Sequence, residues 1–363
     1  MRIVIAKKLL SSVGGSEAQA RALAAALAER GHEVRLVGMR PAWSRPGIPS
    51  GPRGDLRSSV DGVAYTYLAT PFAAVDGLLP TSLISWRRLA RELRGADIVH
   101  SIAREWAGPL EQAARSVGAA FVETPLVHPG QRSSGDGRAD VARYRRADAV
   151  VALTEWEAGW YRERRVARVH VTGVGAVMAP VPDVAMAPAT ILFVGRKERY
   201  KGYDALREAA PAVWRERPEA RFQLIGQRRF RGPAPLADPR WEEPGIVDEA
   251  TKSVAYARAT MFCMPSEHET FGHTYLEAWC AGRPVIAGDI PPLREIVREG
   301  IDGLHARNEP SDIARAILTL LRDPDGARRM GEAGRARLAE RWTWPAVAER
   351  TERAYSDALA RCR

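Results

Sequence analysis

One stretch in the second half of the chain limits the possible folds most, because an apolar run meets a helical pattern there through a short turn. The run Thr260–Pro265 predicts a buried strand and Thr274–Ala281 predicts a helix, with Gly272 in the turn between them. Such a turn leaves backbone N–H groups unbonded at the carboxyl edge of a sheet, where α/β proteins bind anions. The stretch therefore predicts an α/β protein with an anion site.

Two carboxylates belong to the same stretch, Glu269 in the turn and Glu277 in the helix. Carboxylates accept hydrogen bonds from hydroxyls, and a ribose or a hexose is a set of neighbouring hydroxyls. Phosphate at the helix N-terminus, ribose at Glu277 and a hexose at Glu269 would together make one nucleotide sugar. Taken alone, an acidic pair at this spacing is more often a solvated helix face.

Length and composition indicate an ordinary soluble protein of two domains. The chain has 363 residues, of which 45% are hydrophobic and 27% are charged. Its three cysteines lack the spacing of a metal site or of a disulfide framework, which favours a reducing compartment. We expect no signal peptide in the first ten residues, because their apolar run is short and two lysines follow it, and no apolar run approaches the roughly 20 residues of a spanning helix. We therefore expect a cytoplasmic protein without a metal.

The net charge of +10 allows three kinds of partner: nucleic acid, an anionic lipid surface or a phosphorylated substrate. No nucleic-acid-binding module is recognisable, so we expect no nucleic-acid partner and favour an arginine-rich surface. The segment 83–94 predicts a basic amphipathic helix. It could make weak contact with the inner membrane face, or its apolar stripe could pack on the sheet and leave a solvated basic face.

The N-terminal half begins with a βαβ pattern: strands at 1–6 and 33–38 with a helix at 17–30 between them. The turn before the helix contains Gly14 and Gly15, and Ser16 is placed to cap the helix. Two glycines let the backbone approach a ligand, although a flexible turn without a ligand is the alternative. Residues 41–57 are rich in Pro, Gly and Arg and predict an irregular loop.

The C-terminal half opens with a strand at 191–195 followed at once by Arg196 and, five residues later, Lys201. The planar fork of arginine and the point charge of lysine can hold a diphosphate from two directions, whereas the alternative is a basic surface turn. The next strand, 221–226, leads into the basic loop 227–231, whose arginines could contact phosphate or only solvent.

These motifs together resemble those of the family 4 retaining glycosyltransferases. The resemblance rests on Glu269-x7-Glu277 with the flanking run Pro265–Ile296, on Arg196-x4-Lys201-Gly202, and on the segment 147–155. It implies the GT-B fold, in which two Rossmann-like domains face a cleft. The implied divisions are an acceptor domain at 1–176, a linker at 177–190, a nucleotide-sugar domain at 191–343, and a helix at 344–363 that crosses back to the first domain.

The resemblance also implies an activity: transfer of a sugar from a nucleoside diphosphate sugar, with a UDP-sugar favoured, to a hydroxyl acceptor. Retention of configuration by front-face attack, without a cofactor or a metal, is the mechanism it implies. The acceptor could be a small molecule, a glycan or a lipid-linked molecule. The alternatives are a GT-B nucleotide-sugar epimerase, a phosphorylase-like enzyme and a non-catalytic nucleotide-sugar-binding protein.

Residue roles follow from the same resemblance. Arg196 and Lys201 would neutralise the leaving diphosphate, and Glu269 would hold sugar hydroxyls rather than act as a nucleophile. His128 would face the donor sugar or the acceptor; here Leu126 stands where family members often carry a further histidine, and an ordinary loop histidine is the alternative. The remaining donor-binding candidates are Gly14, Gly15, Phe271, Gly272, His273, Thr274 and Glu277.

Overall fold

The chain forms two compact units in a computed structural model, one comprising Met1–Gly175 with Trp344–Arg363 and the other Ala176–Thr343. The structure describes residues 1–10, 14–44, 49–51, 54–74, 84–131, 134–177, 180–229 and 231–362. In each unit a sheet carries helices, so the predicted α/β class with two Rossmann-like sheets is confirmed.

The first unit is built on an eight-stranded sheet in the order β3-β4-β2-β1-β5-β6-β7-β8. All neighbouring strands are parallel except β3, which pairs antiparallel with β4. The strands are β1 (Arg2–Ala6), β2 (Glu33–Ser44), β3 (Leu56–Val60), β4 (Val63–Ala74), β5 (Ile98–Ile102), β6 (Ala120–Thr124), β7 (Ala149–Ala152) and β8 (Val169–Val171). The helices are α1 (Gly15–Glu29), α2 (Trp86–Glu92), α3 (Ala107–Ser116), α4 (Arg138–Arg146) and α5 (Glu155–Glu163).

The core of this unit lies on both faces of the sheet. Side chains such as Val4 and Phe121 pack with α3 on one face, while Ile5 and Leu36 pack with α1 on the other. Parallel strands need this double cover because each is apolar on both sides.

The second unit has a six-stranded parallel sheet in the order β11-β10-β9-β12-β13-β14. Its strands are β9 (Thr190–Val194), β10 (Arg221–Ile225), β11 (Trp241–Gly245), β12 (Met261–Met264), β13 (Val285–Gly288) and β14 (Gly303–Ala306). Its helices are α6 (Tyr203–Glu216), α7 (Glu249–Arg258), α8 (His273–Cys280), α9 (Pro291–Ile296), α10 (Pro310–Arg322) and α11 (Pro324–Arg341). The chain proceeds outward from β9 in one direction and from β12 in the other, so a topological switch point lies between these two strands.

The last helix, α12 (Trp344–Cys362), belongs to the first unit. Its Tyr355 hydroxyl lies 2.7 Å from Nδ1 of the buried His100 on β5, and its Glu352 accepts a 2.6 Å hydrogen bond from Arg30. Both contacts join residues more than 250 positions apart in sequence. Within the part of the chain that the structure describes, no helix is long and apolar enough to cross a membrane.

The basic helix expected at 83–94 is confirmed as α2, which is shorter: it is capped by the Ser85 hydroxyl and ends at Glu92, and position 83 lies outside the described residues. Two other local expectations differ from the structure. The expected loop 41–57 contains the end of β2 and the start of β3, because both strands pair with β4 there without apolar alternation. Ser16 does not cap α1: Gly14 is the N-cap, and the Ser16 hydroxyl donates to Glu17 at 2.9 Å.

Candidate active site

The turn after β12 delivers the N-terminus of α8 to the carboxyl edge of the second sheet. Gly272 begins the helix at φ +89°, a conformation that favours glycine, and the Tyr275 hydroxyl donates to the Met264 carbonyl at 2.6 Å. The amides of His273 and Thr274 lie in the first turn, where no intrahelical acceptor exists. The arrangement presents N–H donors and the positive end of a helix dipole.

The turn after β9 meets this turn across the switch point. Nζ of Lys201 donates to Oε1 of Glu269, and the two side chains are only 16% and 9% exposed. The backbone joins the same segments, because the Glu267 amide donates to the Tyr200 carbonyl at 2.7 Å. Lys201 and Glu269, which belong to separate sequence motifs, are therefore in direct contact.

Gly202 allows the two turns to approach this closely. It has φ +83°, and a Cβ at this position would lie 2.5 Å from Cγ of Pro265 and 2.9 Å from its carbonyl oxygen. Every other residue type carries a Cβ, so the glycine sets the separation of the turns.

Arg196 lies at the exposed end of the same turn, and its Nη2 donates to the Tyr200 hydroxyl at 2.7 Å. The next residue, Lys197, points the opposite way: it is 2% exposed and its Nζ lies 3.1 Å from Glu243. Glu243 also accepts from the Tyr203 hydroxyl at 2.6 Å. Of these two basic residues, only Arg196 is thus available to an external ligand. Lys197 instead stabilises the turn through its buried ion pair with Glu243.

Glu277 is almost fully buried one turn into α8. Its two oxygens accept hydrogen bonds from Lys252 at 3.0 Å and from the Tyr256 hydroxyl at 2.8 Å. Burial raises the pKa of Glu277, and Lys252 opposes that shift. Sequence reasoning missed both partners on α7, since a lysine and a tyrosine four residues apart on a helix carry no distinctive signal.

Two of the predicted donor-binding residues have side chains turned toward the protein. Phe271 is 1% exposed, and its ring packs edge-on against Trp342 at 5.5 Å, so only its backbone is at the turn. His273 is held neutral at pH 7, because burial lowers its pKa to about 4. The hydroxyl of Thr274 lies 3.9 Å from the Met264 sulfur.

The basic loop after β10 is partly neutralised by its own unit. Arg229 donates to Asp204 at the start of α6 at 3.0 Å, while Arg228 is exposed. The amide of Lys197 donates to the Gln227 carbonyl at 2.8 Å, which places this loop beside the Arg196 turn. Position 230 lies outside the described residues.

In the first unit, the predicted glycine turn adjoins a cluster of charges around the buried Lys7, which sequence reasoning missed. Gly14 has φ +127°, and a Cβ there would lie 2.3 Å from a carboxylate oxygen of Glu17. Lys7, 4% exposed at the end of β1, lies 3.5 Å from Glu17 and 3.7 Å from Glu105. Burial opposes its charge, but the two carboxylates outweigh burial and raise the pKa of Lys7. Gly15 is exposed beside this cluster.

His128 lies on the segment after β6, partly buried. Strand β5 separates β6 from β1, so His128 and the glycine turn share one sheet edge without being neighbours in the sheet. Two non-glycine residues on this edge adopt positive φ, Ala103 at +64° and Leu126 at +59°. Such strained backbone is often found at functional sites. Among the residues described, no three His, Cys, Asp or Glu side chains are grouped to hold a metal ion.

Comparison with known proteins agrees with this architecture. A family model described as glycosyl transferases group 1 matches residues 181–337, and one described as a glycosyl transferase 4-like domain matches residues 14–175. The D-inositol 3-phosphate glycosyltransferase of Nocardia farcinica is 30% identical over 397 residues, covering 95% of this chain and 85% of that protein.

Two solved structures share the fold at low sequence identity. Sucrose-phosphate synthase from Thermosynechococcus elongatus superposes with a TM-score of 0.80 at 19% identity, covering 99% of this chain and 100% of that chain. HepE of Anabaena in complex with UDP-glucose superposes with a TM-score of 0.74 at 15% identity, covering 98% and 99%. With two matching family models and a relative that is 30% identical over 95% of this chain, the chain belongs to the group 1, family 4-type glycosyltransferases of GT-B fold.

Proposed function

We propose that this glycosyltransferase moves a hexosyl group from a nucleoside diphosphate sugar to a hydroxyl acceptor, with retention of configuration and without a metal. The observation that carries the proposal is the Lys201–Glu269 pair beside the N-terminus of α8. It brings a cation, a carboxylate and unbonded amides together at one sheet edge. These are the groups that a diphosphate and a sugar require.

The chemical demand is the negative charge that develops on the leaving diphosphate. Arg196, Lys201 and the amides of His273 and Thr274 are placed on two adjoining turns and are already oriented by the fold. Preorganised donors of this kind stabilise a transition state without reorganisation when the bond breaks. These groups would therefore stabilise the leaving diphosphate without a metal.

The proposed step is a front-face displacement. The bond between the anomeric carbon and the phosphate oxygen breaks, and a bond from that carbon to the acceptor oxygen forms on the same face. The acceptor proton passes to the departing phosphate oxygen. Glu269 would bind a sugar hydroxyl rather than attack the anomeric carbon, since its carboxylate is engaged by the ammonium of Lys201.

Glu277 would accept the ribose hydroxyls with the lone pairs that Lys252 and Tyr256 leave unused. In the first unit, Gly14 and Gly15 would let the backbone approach the donor, and His128 would contact the donor sugar or the acceptor. Membrane contact through α2 remains a prediction; Arg88 and Glu92 of this helix are paired with Asp55 and Arg57.

A UDP-sugar is the favoured donor, in agreement with the UDP-glucose bound in the HepE structure. The name of the Nocardia relative makes D-inositol 3-phosphate the first acceptor to test, ahead of glycans and lipid-linked acceptors. We expect UDP release from UDP-sugars to depend on an acceptor and to persist in excess EDTA. Proton NMR of the product should show the anomeric coupling of the donor.

Three outcomes would contradict the proposal. An inverted anomer would overturn retention, and loss of activity in EDTA that returns with a divalent cation would overturn metal independence. Conversion of the donor without an acceptor would indicate an epimerase or a hydrolase instead.

A further inference from the structure

The turn after β9 carries two lysines whose partners come from opposite sides of that strand in the sheet. Lys201 contacts Glu269, which follows β12, and this pair belongs to the candidate active site. Lys197 contacts Glu243 of β11 instead, and the two side chains are only 2% and 6% exposed. Because β9 lies between β12 on one side and β10 and β11 on the other, the turn is held from both directions.

Glu243 is the centre of a buried network of hydrogen bonds and charge. Its Oε1 accepts from the Tyr203 hydroxyl at 2.6 Å and from the Trp241 indole N–H at 2.7 Å, while its Oε2 lies 3.1 Å from Nζ of Lys197. Tyr203 and Trp241 are 0% and 5% exposed, and their rings pack edge-on. Burial opposes the charge of Glu243, but these three groups outweigh burial and lower its pKa. Glu243 is therefore a buried carboxylate anion.

The backbone on either side of Arg196 is fixed by the same part of the sheet. The Lys197 amide donates to the Gln227 carbonyl at 2.8 Å, and the Gly195 amide donates to the last residue of β10 at 3.0 Å. The Arg196 guanidinium donates to the Tyr200 hydroxyl of its own turn at 2.7 Å. The direction in which Arg196 leaves the turn is therefore set by its two neighbours, and one of these is the residue that Glu243 holds.

A buried ion pair is an unusual choice if its purpose is stability alone. Both charges lose their hydration, and apolar side chains of similar volume in the places of Lys197 and Glu243 would often stabilise the fold as well or better. What the pair can supply is a single geometry, since the ammonium, the hydroxyl and the indole N–H must all meet one carboxylate. Here that geometry is imposed on the residue next to Arg196.

We propose that Glu243 is a positioning residue for glycosyl transfer: by holding Lys197 it fixes the turn after β9 and so directs the Arg196 guanidinium toward the leaving diphosphate. The proposal rests on the role of Arg196 in the proposed function. Glu243 itself contacts neither substrate, because it is buried and engaged by the protein. Its effect falls on kcat, since the charge that Arg196 neutralises grows in the transition state.

A double-mutant cycle on kcat tests whether Glu243 acts through Arg196. Glu243→Gln keeps the shape of the side chain but removes its charge. We expect kcat to fall roughly 10-fold, because a displaced catalytic group loses much of its effect, and KM for the UDP-sugar to stay unchanged. In an Arg196→Ala background the same substitution should cause almost no further loss. A loss that came only from a smaller folded fraction would be equal in both backgrounds.

Matched variants separate the buried pair from general effects of charge on β11. Glu242→Gln is the control, since Glu242 is the neighbouring carboxylate but is 51% exposed and pairs with Arg221; its kcat should equal that of wild type. Lys197→Met removes the other half of the pair and should reproduce the loss of Glu243→Gln. Lys197→Met combined with Glu243→Gln leaves no buried charge unpaired, so it should fold even if the single variants are unstable. It should still show the reduced kcat.

Hydrogen–deuterium exchange tests the position of the turn without turnover. Peptides that cover residues 195–202 should exchange faster in Glu243→Gln than in wild type, because the turn has lost one of its two anchors. Peptides from β13 and α9 should exchange at the same rate in both proteins. In Glu242→Gln all of these peptides should exchange as in wild type.

The proposal is overturned if Glu243→Gln has the kcat of wild type, if its loss is just as large in the Arg196→Ala background, or if exchange of residues 195–202 is unchanged. Failure of the proposed function is a separate result, in which the wild-type protein consumes no UDP-sugar. The catalytic consequence would then fail with it, and exchange alone would decide whether Glu243 fixes the turn.

Discussion

The two sheets place a switch point at their carboxyl edges, yet the two edges are built differently. In the second unit, the turns after β9 and β12 are joined directly through Lys201 and Glu269 and through backbone hydrogen bonds. In the first unit, the elements after β1 and β5 are joined through the buried Lys7, which lies between Glu17 and Glu105. In the second unit Lys201 is 16% exposed and Arg196 beside it is exposed, whereas in the first unit Lys7 is only 4% exposed.

We infer from this difference that the two edges have different tasks. On the proposed function, the second edge binds the diphosphate and the sugar, and Lys201 and Glu269, although 68 positions apart, each lie in a short motif that follows a buried strand. The first edge would supply Gly14 and His128 from separate elements, which is the construction expected where the ligand is particular to one enzyme.

The largest effect should follow from removal of the two cationic side chains that are proposed to bind the diphosphate. We expect Lys201→Ala and Arg196→Ala each to lower kcat by about 10²–10³, because the charge that they neutralise grows in the transition state. Steady-state kinetics with a saturating UDP-sugar measures this. Arg199→Ala is the control, since Arg199 is an exposed arginine of the same turn. Wild-type turnover in Lys201→Ala and Arg196→Ala would show that these residues do not neutralise the diphosphate. The proposed difference between the two edges would then fail as well.

A second effect should appear in stability, because the second edge depends on a close backbone approach. We expect Gly202→Ala to lower the free energy of unfolding by about 3 kcal/mol, from the left-handed backbone and the contact with Pro265 together. Gly300→Ala is the matched control: Gly300 has φ +71°, and a Cβ at this position would have no atom within 4 Å, so only about 1 kcal/mol should be lost. Equal losses of unfolding free energy in the two variants, measured by urea unfolding, would show that the close approach of the two turns does not contribute to stability.

The same contrast explains how much could be predicted from the sequence. Lys201 and Glu269 were identified because each lies in a short motif next to a strand, and strands such as β9 and β12 are fully buried apolar runs. The whole fold class followed from such runs and the helices between them. Strand β3 was missed because all five of its residues are exposed and no apolar alternation marks it.

Partners that meet only in the folded protein could not be found by spacing. Lys252 reaches Glu277 across 25 positions, and Lys7 reaches Glu105 across a much longer stretch of chain. Strand β11 was also missed, because it carries Glu242, Glu243 and Pro244 and lies at the sheet edge, where proline is tolerated. Local patterns therefore predicted the second edge better than the first.

The third prediction concerns the pH dependence of stability in the first unit. Burial lowers the pKa of His100 to about 3, and its ring nitrogens lie 2.7 Å from the hydroxyls of Thr124 and Tyr355. In the unfolded chain His100 binds a proton near pH 6.5, whereas in the folded chain it stays neutral until about pH 3. The contribution of His100 to the free energy of unfolding is therefore fully present above about pH 6.5 and is lost as pH falls toward 3. His100 should account for a loss of about 2 kcal/mol between about pH 7 and about pH 5.

His100→Gln cannot titrate and should show a correspondingly flatter pH dependence than wild type. Hydrogen–deuterium exchange of peptides from β5 and α12 reports on this unit specifically. Protection that falls equally with pH in wild type and variant would mean that other groups govern the acid sensitivity of the first unit.

The smallest effect tests whether the second edge divides its two carboxylates between ribose and sugar. Glu277→Gln should weaken UDP binding about tenfold, because a neutral amide is a poorer acceptor for ribose hydroxyls, whereas Glu269→Gln should leave UDP affinity unchanged and impair only use of the UDP-sugar. Calorimetric titration with UDP and kinetics with UDP-sugar distinguish the two. Glu249→Gln is the control, since Glu249 also pairs with Lys252, at 2.8 Å, but is 62% exposed. A tenfold loss of UDP affinity in Glu249→Gln would show that the effect arises from a disturbed Lys252 rather than from a lost bond to the ribose. The reverse pattern for Glu277 and Glu269 would exchange their roles while leaving the diphosphate site in place.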